Sequence, residues 1–176
     1  MDDKNWKYFC LKKKNRIMKK ILLLLVLLLS AKITAQEIPL AQLETIDGET
    51  VSTQILAEQG AKPIVITFWA TWCIPCLTEL SAVNERLESW KEKYQFDLYA
   101  VSVDDDRTAR KVAALQAGKG WDFKVLLDTN QDFKRKLNIN SIPYLIVVKE
   151  GKIIFTKTGF VKGDEARIEK VISENQ

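Results

Sequence analysis

Ile64-Val65-Ile66-Thr67-Phe68-Trp69, followed after Ala70-Thr71 by Trp72-Cys73-Ile74-Pro75-Cys76, is the stretch on which the fold turns. The near-continuous apolar run behind Pro63 has the length and composition of a central strand buried on both faces. Beyond it Leu77, Leu80, Val83, Leu87 and Trp90 recur at helical spacing, with charges between them as far as Lys93. That spacing predicts an amphipathic helix. The cysteines therefore sit at a strand-to-helix junction. Unpaired N–H groups and partial positive charge at a helix start favour the thiolate of Cys73 over its thiol. Cys76, three residues on, is near enough to close a disulfide and far enough along the first turn to be shielded. Pro75 suits that turn, where its fixed φ and missing N–H cost little. Taken alone, the C-x-x-C pair also admits a structural disulfide or half of a metal site, the lesser readings.

Composition narrows the chemistry. The 176 residues contain no histidine and three cysteines, the third being Cys10 near the start. A zinc site of the usual Cys/His kind needs four ligands, which two cysteines supply only with carboxylates or a partner chain. Absence of histidine also removes Ser-His-Asp and Cys-His catalysis, haem ligation by His and His-dependent copper delivery. Thiol–disulfide exchange is among the few chemistries left, and it requires no cofactor and no metal.

Residues 1–35 read as a secretory leader. Lys12, Lys13, Lys14, Arg16, Lys19 and Lys20 precede the apolar block 21–29, and small residues lead to Ala35, a plausible residue before the cut. The block is shorter than the roughly 20 residues of a transmembrane helix; an uncleaved anchor is the alternative. Met18 stands just before Lys19-Lys20 and is an alternative start. Cys10 precedes the apolar block, whereas a lipid-bearing cysteine would follow it, so it reads as inert. The leader holds nine Lys/Arg and two Asp/Glu, which leaves 18 basic against 21 acidic residues, a net of −3, in 36–176. The basic character thus belongs to the leader, and with no Gly-rich phosphate loop nothing points to a nucleic-acid partner. Residues 36–176 suffice for one domain with a full core, expected to be a monomer.

Along that domain, 43–46 and 49–51 read as strands joined by Asp47-Gly48. Residues 53–62 read as a helical or irregular connection, 64–69 as the central strand and 96–103 as the next strand. Asp104-Asp105-Asp106 reads as a solvated turn capping a helix over 107–117 that Gly118-Lys119-Gly120 stops. A short strand at 125–127, a short helix at 131–137, an antiparallel pair at 144–148 and 153–157, and a final helix at 164–173 complete the order. Strands alternating with helices and ending in a hairpin predict an α/β fold, a central mixed sheet covered on both faces.

This order, with W-C-x-P-C after the central strand and Ser141-Ile142-Pro143 before the last hairpin, resembles thioredoxin. The extra hairpin at 43–51 and the insertion at about 104–124 resemble the exported TlpA/ResA-like branch of that superfamily. The resemblance covers about residues 38–174. It implies a thioredoxin-like fold in which the Ile142–Pro143 bond is cis and lies against the cysteines, the backbone of Ile142 pairing with a bound substrate segment. Without the family, Ile-Pro here is a turn that could equally be trans. Glu79, three residues after Cys76, matches the C-x-x-C-x-x-E pattern of the ResA-like proteins and is implied to be an active-site acid; otherwise it is an exposed first-turn carboxylate favouring the helix dipole. Thr67 departs from the pattern of cytoplasmic thioredoxins, which carry a buried aspartate there. A threonine cannot take the proton of Cys76, which raises the standing of Glu79. Trp69 and Trp72 match aromatic positions flanking the site.

The resulting expectation is an exported thiol–disulfide oxidoreductase. Cys73 is the exposed nucleophile, Cys76 resolves the mixed disulfide, and Cys73 and Cys76 form the redox disulfide. Glu79 serves as acid, and Trp72, Ile74, Pro75, Ile142 and Pro143 form the substrate platform. The resemblance favours reduction of exported protein disulfides, as in cytochrome c maturation, with electrons from a membrane thiol–disulfide donor. A peroxiredoxin-like peroxidase shares the fold but uses a Thr/Ser-x-x-Cys setting. A non-catalytic binding or metal-carrier module is the other alternative.

Overall fold

The computed structural model describes residues 36–58 and 60–176; the readings of the leader, of Met18 as a start and of Cys10 lie outside the described residues. Strands β1 (Gln42–Thr45), β2 (Thr50–Ser52), β3 (Ile64–Trp69), β4 (Asp97–Ser102), β5 (Lys124–Leu127), β6 (Tyr144–Lys149) and β7 (Lys152–Thr158) build one sheet in the order β2-β1-β5-β4-β3-β6-β7. Helices α1 (Gln54–Glu58), α2 (Ile74–Lys93), α3 (Val112–Lys119), α4 (Asp132–Lys136) and α5 (Asp164–Glu174) complete it. β3, β4 and β5 run parallel, and the strands outside them pair antiparallel, which makes the sheet mixed.

All six residues of β3 are buried, as their apolar run requires of a strand with neighbours on both sides. Leu80, Val83, Leu87 and Trp90 of α2 are buried at the predicted spacing. Each contributes about 1.5–3 kcal/mol of transfer free energy. α5 lies beside α2: Arg86 pairs with Glu165 at 3.7 Å and Lys93 with Glu169 at 3.6 Å. Glu79, Arg86 and Lys93 are seven residues apart, so one stripe of α2 faces α5 and the chain leading into it.

The first hairpin forms around Asp47-Gly48, with Leu43 opposite Val51 and Gly48 at φ 87° in the turn. The structure extends it backwards in a way the sequence reading missed. Residues 36–38 lie along the β6–β7 turn, where the Gln36 carbonyl accepts from Ile153 N at 2.8 Å and Ile38 N donates to Gly151 O at 2.9 Å. Glu37 bridges Lys152 there. The chain then passes to β1 near the opposite edge, held by the Thr53 hydroxyl, which donates to Pro39 O and accepts from Ala41 N, both at 2.8 Å.

Two expectations need correction. The helix over 107–117 is instead a 3₁₀ turn at Ala109–Lys111 followed by α3, which runs through Gly118 to Lys119 and ends on Gly120 at φ 62°. The Asp105 carboxylate accepts from Arg107 N and Thr108 N and from the Thr108 hydroxyl, a local alternative to helical bonding. Asp104 is not part of a solvated turn; it is buried, for a reason that belongs to the site.

Candidate active site

β3 delivers the chain to Ala70, and α2 begins just beyond Cys73, which adopts an extended conformation as its N-cap. The Cys76 N–H donates to Cys73 Sγ at 3.3 Å. The two sulfurs are bonded, 2.05 Å apart. Cys73 retains 7 % exposure and Cys76 none, so of the pair only Cys73 meets the surface. The expected openness of Cys73 is thus smaller than the sequence reading had it. What is exposed is its frame: Trp72 at 63 % and Ile74 at 71 %. From Ile74 a groove of about 510 Å³ runs past Leu77, Thr78 and Ser81 to Phe160 and Glu165.

The turn before Cys73 is fastened from below. The Asp104 carboxylate accepts from Thr71 N at 2.8 Å, from the Thr71 hydroxyl at 2.6 Å and from the Ser102 hydroxyl at 2.8 Å. Val103 N donates to Trp69 O at 2.8 Å, so the end of β4 and the end of β3 are locked together beside the dithiol. Trp69 is fully buried and meets Trp121 edge-on at 5.4 Å, and Trp121 stacks on Phe123 at 5.5 Å. The insertion thereby supplies aromatic backing to the redox turn.

The Ile142–Pro143 bond is cis. Tyr144 pairs with Phe68 in β3 and with Thr158 in β7, so Pro143 lies at the end of the sheet where β3 turns into the dithiol helix. Its carbonyl accepts from Gly159 N at 2.8 Å.

Glu79 is buried, with 1 % exposure, which rules out the reading of an exposed first-turn carboxylate. Neither carboxyl oxygen has a hydrogen-bond partner among the described residues. Burial raises its pKa from 4.5 to about 7; the charge of Lys157 opposes that rise and Asp164 adds to it. Thr67 is buried one strand position from Phe68, and its hydroxyl is likewise unpartnered. Lys157 and Asp164 were not singled out in the sequence. Lys157 is buried, bonds Asp164 Oδ2 at 2.8 Å and the Gly159 carbonyl, and lies over the Phe160 ring at 5.2 Å. Its signal was alternation: it is in phase with the half-buried Ile153 and Phe155 along β7. No cluster of three His, Cys, Asp or Glu able to hold a metal occurs among the described residues, and no helix there is long and apolar enough to cross a membrane.

A mixed sheet with a cysteine pair bonded across the first turn of the helix after its central strand, and a cis-proline at the same end of the sheet, defines a thiol–disulfide oxidoreductase of thioredoxin-like fold. The chain belongs to the AhpC/TSA family, whose model matches residues 34–161. It is similar to the thiol-disulfide oxidoreductase ResA of Bacillus subtilis, with 26 % identity over 161 residues, covering 85 % of this chain and 88 % of that protein. A thioredoxin-like protein from Porphyromonas gingivalis has a similar structure, with a TM-score of 0.69 and 43 % identity, over 78 % of this chain and 90 % of that one. StoA from Bacillus subtilis shares the fold with a TM-score of 0.60 at 21 % identity, over 76 % of this chain and 96 % of that one.

Proposed function

We propose that the protein is an exported disulfide reductase acting through Cys73 and Cys76, and that residues 1–35 are its signal peptide and 36–176 its catalytic domain. The observation that carries this reading is the cysteine pair at the start of α2, with Cys73 alone reaching the surface between Trp72 and Ile74. In the reduced protein the Cys73 thiolate attacks one sulfur of a substrate disulfide; that S–S bond breaks, a mixed disulfide forms, and the first substrate sulfur leaves as a thiolate that takes a proton. Cys76 then gives its proton to the Glu79 carboxylate, one helical turn away, and its thiolate attacks Cys73 Sγ, expelling the second substrate thiolate. Two electrons have passed from the dithiol to the substrate, and the Cys73–Cys76 disulfide remains. A thiol–disulfide donor at the membrane restores the dithiol.

Glu79 suits the role because a carboxyl that titrates near neutrality both accepts and returns a proton at working pH. Trp72, Ile74, Pro75, Ile142 and Pro143 form the platform on which an extended substrate segment lies, continued by the groove along α2. The similarity to ResA supports thiol–disulfide exchange, and we read its direction as reduction of exported protein disulfides, including those of apocytochrome c. Trapping tests it: with Cys76→Ser in the full chain, expressed in its host, substrates should remain bound to Cys73 and be released by dithiothreitol. Absence of any captured protein, in cells where Cys73→Ala serves as the blank, would refute the reading.

A further inference from the structure

Beneath the dithiol helix, Glu79 is accompanied by polar side chains that disulfide exchange as described does not use. Thr67 of β3 is opposite Leu145 of β6, and Leu145 is opposite Lys157 of β7, so the three form one row on one face of the sheet. From α2, Glu79 presents an unbonded carboxyl on the stripe whose later members, Arg86 and Lys93, engage Glu165 and Glu169 of α5. Arg86 already meets Glu165 in the first turn of α5, so two turns further back Glu79 faces the chain that leads from β7 into α5, where the charges of Lys157 and Asp164 act on it. There the side chain of Lys157, only 6 % exposed, meets Asp164 at 2.8 Å. Asp164 is itself held by Val161 N at 2.8 Å. A buried ammonium is costly unless it is paired, and the position of this one is fixed by an aspartate, a backbone carbonyl and an aromatic face.

We propose that Lys157, fixed by Asp164, is a positioning residue whose charge favours the Glu79 carboxylate that takes the proton of Cys76. This rests on the reading of Glu79 as the acid and adds the residues that govern it. Among the described residues, Lys157 and Asp164 carry the charges that bear on Glu79. β7 offers Lys157 and α5 offers Asp164; Glu165, engaged by Arg86, and Lys162 of the loop between them line the groove beside α2, and α2 itself offers Cys76 one turn back. β3 and β6 contribute Thr67 and Leu145, neither of which titrates in this range. With Thr67 where the cytoplasmic thioredoxins have aspartate, the acid comes from the helix and the cation that balances it from the far edge strand.

The two partners must act in opposite senses. Removing the positive charge leaves the Glu79 carboxylate less favoured, and removing the Asp164 charge leaves it more favoured. The test is the pH profile of insulin-disulfide reduction by the full chain, reduced beforehand, with helix content checked by circular dichroism. Lys157→Met should move the alkaline-going midpoint up and Asp164→Asn should move it down, each by roughly half a pH unit, or about threefold in rate at a fixed pH on the slope. Lys157→Arg should restore the wild-type midpoint, which also covers the case in which Lys157→Met fails to fold. In a Glu79→Gln background neither substitution should move the profile. If Glu79→Gln changes the profile while Asp164→Asn and the folded Lys157 variants do not, this inference is overturned and the reading of Glu79 stands. If Glu79→Gln leaves the profile unchanged, both fall together.

Discussion

The carboxylate of Asp104 takes both the backbone N–H and the hydroxyl of Thr71, at 2.8 and 2.6 Å, and so ties the end of β4 to the turn that presents Cys73. With Ser102 as a third donor, the group is buried among hydrogen bonds rather than among cations. Removing the acceptor leaves those donors without it in a dry place. Asp104→Ala should cost about 2–4 kcal/mol in urea unfolding, more than an ordinary surface substitution, and should slow turnover by letting the turn relax. An unchanged unfolding midpoint would show that the turn is held by other means.

Glu79 gives stability a pH dependence of definite sign. Its carboxyl binds a proton more tightly in the folded state, at about 7, than at its ordinary value of 4.5, because of burial. The stabilisation is therefore fully present below pH 4.5 and is lost as pH rises through 7. The stability difference between wild type and Glu79→Gln, both oxidised, should shift against the wild type over that range by up to about 3 kcal/mol. Parallel stability curves for the two would remove the case for a buried, neutral Glu79.

Trp72 stands in the open beside Cys73 and packs into no core. Trp72→Ala should leave stability within about 0.5 kcal/mol and raise KM for a protein disulfide roughly tenfold, the equivalent of about 1.4 kcal/mol of contact. A KM equal to that of the wild type would move substrate binding away from this rim.

Export is checked by the N-terminus. The basic, apolar and small order of residues 12–35 leads to the expectation that protein recovered from its host begins near Gln36 and lies outside the cytoplasm. A soluble cytoplasmic protein that retains its leader would contradict this.

The strands and α2 were legible because each carried one strong period: an unbroken apolar run for β3, a helical stripe for α2 and an Asp-Gly turn for the first hairpin. The dithiol was legible because its spacing is local. What escaped was long-range. Asp104 belongs to an acidic run that reads as solvated until Thr71, 33 residues away in sequence, comes to meet it. Lys157 looks like an edge-strand charge until Asp164 and the phase of β7 turn it inward. The helix over 107–117 failed because Asp105 had a nearer use for the backbone donors. The fastening of residues 36–38 was invisible because three residues carry no period at all.

That fastening sets Gln36 and the redox turn apart. Gln36 is held at the Ile153 end of β7, while Thr158, at the other end, is aligned through Tyr144 with the strand end that leads to Cys73. Five steps of extended strand separate Ile153 from Thr158, about 17 Å. Gln36 and the redox turn are therefore at opposite ends of the sheet's edge strand. A label or affinity tag joined at Gln36 would lie away from Cys73 and leave its sulfur free to meet a polypeptide substrate.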